Sequence, residues 1–104
     1  MVLAVVTPSV KPDKKFTVFI FAGDRMVEEN LIKTIHFGAN GYEDYTMHKD
    51  PKRKERYKQR HRNESWRDYM TAGFWARWLL WNKPTLLESI IDTEKRFKIR
   101  IEIL

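Results

Sequence analysis

"KKFTVFIFA", Lys14–Ala22, decides how the rest of the chain is read. Phe16, Val18 and Ile20 alternate with Thr17, Phe19 and Phe21, the period of two that a strand requires. Both faces turn apolar toward its end, so this strand is expected to be central or covered. Gly23-Asp24 marks a turn, and "LIKTIHF", Leu31–Phe37, reads as the strand that returns in a hairpin. At the far end of the chain "KIRIEI" alternates strictly. Ile99, Ile101 and Ile103 are predicted inward, and Lys98, Arg100 and Glu102 outward.

Upstream, Pro8 and Pro12 bracket "PSVKP". Residues 1–14 are read as an extended arm, and residues 15–104 as a single domain. Terminal arms are disordered unless tied down. "MVLAVV" is therefore expected to dock on a neighbouring subunit or to form an edge strand of its own sheet. It is too short for a signal peptide and has no basic flank. No apolar run approaches the roughly 18 residues of a membrane span.

Three helices are predicted between the strands. Asp50-Pro51 supplies an N-cap and a first-turn proline for a helix running to about His61, within a basic segment at 50–62. "TAGFWARWLLW", Thr71–Trp81, sets Phe74, Trp78 and Trp81 at i, i+4, i+7, with Trp75 and Leu79 beside them. Asn82-Lys83-Pro84 ends it. Thr85 and Glu88 form a capping box. The third helix should then bury Leu86/Leu87, Ile90/Ile91 and Phe97. The order β-β-β-α-α-α-β predicts an α+β fold, a small antiparallel sheet of about four strands with about three helices packed on one face. The expected core is Phe16, Val18, Ile20, Trp78, Leu79, Leu87, Ile90, Ile91, Ile99 and Ile101.

Charge is concentrated in one place. The chain has 20 Lys+Arg against 14 Asp+Glu, a net +6. Lys49 to Arg62 alone holds eight bases and two acids, so this segment carries the whole excess. A local excess points to a site. Like charges at i, i+3 and i+4 repel, and bases in the first turn oppose the helix dipole. An anionic partner relieves both effects. The plain alternative is a solvated face. Lys49, Lys52, Arg53, Lys54, Arg56, Tyr57, Lys58, Arg60, His61 and Arg62 are the candidate contacts. Their partner would be an acidic protein surface, or DNA or RNA phosphates held without strong sequence preference.

Four Trp are too many for one small core to hide fully. Trp66, Trp75 and Trp81 are candidate aromatic contacts, with Trp75 or Trp81 expected to be partly exposed. The absence of cysteine excludes disulfides and thiol chemistry. His36, Asp44 and His48 match no ligand spacing, so a metal-dependent nuclease is the least favoured reading. No catalytic residue, metal or cofactor is expected. The pair of helices over 72–97 resembles a helix-turn-helix in outline. Its second helix offers Glu88, Asp92 and Glu94 where base contacts would be needed, so an αα-hairpin is the better reading.

"KTIHFGANGYEDYTMHKDPKRKERYKQRH", Lys33–His61, and "TAGFWARWLLWNKPTLLESI", Thr71–Ile90, resemble a family of short, basic proteins encoded by large nucleocytoplasmic DNA viruses, phycodnavirus- or mimivirus-like. The likeness spans about Lys15 to Phe97. It implies viral origin and a non-enzymatic structural role, as a minor capsid or capsid-associated protein. It further implies other virion proteins as partners, self-association or capsid lattice contacts, and a location in the virion and the host-cytoplasmic virus factory.

Overall fold

The computed structural model describes the whole chain, Met1 to Leu104. Strands β1 (Val2–Pro8), β2 (Lys14–Ala22), β3 (Leu31–Ala39) and β4 (Arg100–Ile103) form one sheet in the order β3-β2-β1-β4. β2 is interior, as the apolar character of both its faces requires. β1–β2 and β2–β3 are antiparallel hairpin pairs, but β4 runs parallel to β1. The sheet is therefore mixed, not purely antiparallel. The chain leaves β3, passes through all the helices and re-enters the sheet beside β1, a long connection of the kind that parallel pairing needs.

The segment read as an arm over residues 1–14 is corrected by this topology. Val2–Pro8 is an interior strand, with Val5 opposite Phe19 and Val6 opposite Val18. It is neither a free arm nor an edge. Leu3, Ala4, Val5 and Val6 are consecutively buried, as happens in a strand covered on both faces.

Four helical elements follow: α1 (Tyr45–His48), α2 (Pro51–Arg60), α3 (Ala72–Trp75) and α4 (Leu86–Phe97). α3 continues directly into a π-helical turn, Ala76–Leu80. Phe74, Trp75, Trp78, Leu79, Leu80 and Ile90 pack on Ala4, Val6, Val18, Ile20, Ile35 and Phe37, so α3, the π turn and α4 cover one face of the sheet. The opposite face holds a small cluster of Leu3, Val5 and Phe21, edged by Phe19, with no helical residue in it.

Two core expectations fail for one reason. Leu87 is 67% exposed and Ile91 44% exposed, while Ser89, Ile90 and Thr93 face inward. The two hydroxyls on this inner line of α4 are satisfied. Ser89 Oγ accepts from the Lys83 N–H at 3.0 Å, and Thr93 Oγ1 donates to the Ser89 and Trp78 carbonyls at 2.7 and 3.3 Å. Polar residues that find partners can occupy the inner line of a helix, so α4 is rotated from the orientation its aliphatic pairs suggest. Ile103, also predicted inward, is exposed at the end of β4.

Candidate functional site

The basic helix forms where its sequence places it. The Asp50 carboxylate accepts from the Lys52 N–H at 2.9 Å, and Pro51 takes the first helical position. A ten-residue helix this polar needs tertiary support. Its one buried residue, Tyr57, supplies that support by stacking on Trp81, with centroids 4.4 Å apart and planes 3° from parallel. His61 stacks on Tyr57 at 4.3 Å. Burial, with the nearby Glu64 charge adding, drives the Tyr57 hydroxyl well above the usual phenol range, so the ring is a neutral anchor.

The π turn is what brings Trp81 into position. Its N–H donates to the Ala76 carbonyl five residues back, at 3.1 Å. The wider turn rotates Trp81 away from the face shared by Phe74 and Trp78, toward α2. Two lysines complete the attachment. Lys54 Nζ donates to the Asn82 carbonyl and Lys49 Nζ to the Pro84 carbonyl, each at 2.7 Å. Burial lowers the Lys54 pKa, and the positive charges of Arg77, Lys58 and Lys83 lower it further.

Asn82 in turn donates to Asp92 on α4 at 2.8 Å. Burial alone would raise the Asp92 pKa. Hydrogen bonds from Asn82 and Arg96, with the charges of Arg96 and Lys83, outweigh it and hold the carboxyl below its ordinary value. A carboxyl depressed in the folded state stabilises the fold above its unfolded pKa, and the contribution is lost as pH falls through the folded value. The stability advantage of the wild type over Asp92→Asn should thus be full at neutral pH and shrink below about pH 4. Urea denaturation of both proteins at neutral and acid pH checks this.

Between α2 and the sheet lies a cleft of about 820 Å³. One wall is α2, with Arg53, Arg56 and Arg60; across from it stand Lys14 and Lys15 of β2 and the end of β3. Phe37, Leu80 and Trp81 also line it. Gly38 lets the chains close up: its φ is +78°, and a Cβ there would sit 2.9 Å from the Leu80 side chain. Three acids share the space. Asp44 caps α1 and binds Lys15 at 2.6 Å; Glu43 faces Arg53 at 3.5 Å; Glu64 pairs with His61. Arg56, Arg60 and Lys14 make no ion pair, and they leave the cleft with unspent positive charge.

The predicted contacts therefore divide. Arg53, Arg56, Tyr57, Arg60 and His61 line the cleft. Lys52, Lys58 and Arg62 lie outside it, with Lys58 paired to Glu55 at 3.4 Å. Lys49 and Lys54 serve to fasten α2. Trp75 is fully buried and is withdrawn as a contact; its indole N–H donates to the Tyr69 carbonyl at 2.7 Å. It lies on the side of α3 that meets β3, so the exposure expected of it falls to Trp81 instead. Trp66 is half-buried, its carbonyl accepting from the Trp78 indole at 2.6 Å.

His36, Asp44 and His48 do not converge. His36 Nδ1 bonds Thr17 Oγ1 at 2.7 Å, while His48 Nδ1 accepts from the Asp50 N–H at 3.0 Å. No group of three metal-ligating side chains forms. No helix is long and apolar enough to cross a membrane.

Sequence reasoning missed Lys14, Lys15 and Tyr42 in the cleft, because only the hairpin and the β3–α1 loop bring them to α2. It also missed Arg77, which is buried with its guanidinium carbon 4.3 Å from the Trp78 ring and 5.1 Å from the Trp66 ring. Its Nη1 donates to the Trp81 carbonyl at 2.8 Å. The aromatic residues flanking it in "WARWLLW" were the available signal.

Residues 4–61 match a family of unknown function (DUF5754), and the chain belongs to that family. The matched part runs from within β1 to the residue that caps α2, so it takes in the basic helix and most of the segment read as an arm. No curated protein matches the chain, and no solved structure does.

Proposed function

We propose that this member of the DUF5754 family is a non-enzymatic binding protein whose α2 cleft holds a polyanion. The observation that carries the reading is the run of unpaired cations in the cleft. Arg56 and Arg60 are one helical turn apart on the same wall, lack carboxylate partners, and have Lys14 across from them. A rigid anchor beneath them, Tyr57 on Trp81, keeps that wall in place without using the guanidinium groups. Charge-assisted hydrogen bonds to phosphate or carboxylate are the interactions such a wall makes best.

The resemblance of Lys33–His61 and Thr71–Ile90 to proteins of large DNA viruses supplies the setting. In it the protein acts as a capsid-associated component that meets the packaged nucleic acid or an acidic neighbour in the virion. Protein inventories of purified particles test this setting, and absence from mature particles argues against it.

The cleft itself is tested by Arg56→Glu/Arg60→Glu. Both residues are exposed on a helix whose cap and anchor remain, so circular dichroism should be unchanged. Two charge-assisted contacts at roughly 1.5 kcal/mol each predict a loss of about a hundredfold in affinity for heparin. Wild-type binding should also weaken steeply with salt. Undiminished retention by the folded variant sinks the reading.

A further inference from the structure

The cleft has an aromatic feature that electrostatics does not explain. Tyr42 lines its mouth yet is 74% exposed. The ring stacks on no other ring of the protein. The backbone beneath it is fixed: Gly41 takes φ +88°, and the Tyr42 N–H donates to the Ala39 carbonyl at 3.4 Å. A large flat side chain is thus presented on a short turn with one π face free. A single exposed aromatic needs no explanation on its own. Here it shares a cleft with three arginines on α2 that follow one another at axial steps of about 4.5 and 6 Å.

We propose that the cleft takes a single-stranded nucleic acid, its phosphates running along Arg53, Arg56 and Arg60 and an unpaired base stacked on Tyr42. This rests on the reading of the cleft as a polyanion site and names the occupant. A cationic track beside an aromatic platform is the arrangement that binds single strands with little sequence preference. In a duplex the base faces are covered by their neighbours, so Tyr42 would gain nothing. An acidic peptide supplies negative charge but gives Tyr42 no π face to stack on. The cleft volume also lies within the range that encloses compact ligands, which suits a nucleotide or two of a flexible strand rather than a rigid duplex.

Fluorescence anisotropy with labelled oligothymidine and oligouridine, a duplex of matched length and polyglutamate tests the assignment in the wild type, Tyr42→Ala and Tyr42→Phe. Single strands should bind more tightly than the duplex or polyglutamate. Tyr42→Ala should weaken single-strand binding about tenfold, the effect of losing one stacked base. Tyr42→Phe should keep it. Equal single-strand binding by Tyr42→Ala, or tighter binding of duplex or polyglutamate, overturns the assignment. If in that case Arg56→Glu/Arg60→Glu still abolishes heparin retention, the polyanion cleft stands and only its occupant is wrong. If the charge reversal changes nothing, both fall.

Discussion

Trp75→Ala is expected to destabilise the whole domain by about 3–5 kcal/mol, the usual cost of truncating a fully buried large aromatic residue. Trp75 has no exposed surface and packs between Phe37 of β3 and Phe74, with ring centroids 6.3 and 5.0 Å away. Its loss also leaves the Tyr69 carbonyl without its indole donor. Small domains have roughly 5–15 kcal/mol in total, so the variant should approach the limit of folding. At roughly 4–8 °C per kcal/mol, its Tm should fall by more than about 12 °C. Leu87→Ala is the control, since an exposed position away from special features should change stability by no more than about 0.5 kcal/mol. Thermal melts measure both, and the Leu87→Ala melt tests the observed orientation of α4 against the one its leucines and isoleucines suggest. A large drop for Leu87→Ala would mean that α4 buries the other line.

Tyr57→Ala is expected to release α2 while the sheet stays folded. Tyr57 is the only buried side chain on the helix, and its stack on Trp81 is the one aromatic contact between α2 and the helical layer. Removing a buried ring costs several kcal/mol. The remaining ties, Lys54 to Asn82 and Lys49 to Pro84, are hydrogen bonds worth roughly 1.5–3 kcal/mol each when charged. A free helix of ten residues is marginal in water. Amide hydrogen exchange should show protection at Lys54–Arg60 falling by about two orders of magnitude, with β1 and β2 little changed, the signature of local opening. No hydrogen bond holds the Tyr57 hydroxyl, so Tyr57→Phe should keep both the helix and polyanion binding. Uniform loss of protection across the sheet would show that α2 is bound into the global unfolding unit instead.

The basic helix was legible to its residue limits because its signals are local: a carboxylate cap, a proline after it, and a charge excess confined to one segment. The hairpin of β2 and β3 was legible for the same reason. β1 was misread because "VLAVV" has no alternation, and a continuous apolar run says only that both faces are covered, not what covers them. The parallel pairing with β4 joins residues at opposite ends of the chain, Leu3 with Arg100 and Val6 with Ile103, and leaves no local trace. In α4 the aliphatic pairs pointed one way and satisfied hydroxyls at Ser89 and Thr93 allowed the other.

By itself the sequence determined the α+β class, the β2–β3 hairpin, the basic helix and the helix after Thr85 with their caps, and the location of the surplus charge, since each follows from periodicity or from neighbours within a turn. Only the tertiary structure decided that Arg53, Arg56 and Arg60 face a cleft while Lys49 and Lys54 turn to backbone carbonyls. It alone set Lys14, Lys15 and Tyr42 opposite them. The stack of Tyr57 on Trp81, the residue that follows the π turn, fixes which side of α2 meets the helical layer. A one-residue widening of a helix changes which face each later side chain presents, and it is stabilised by packing between segments distant in the chain.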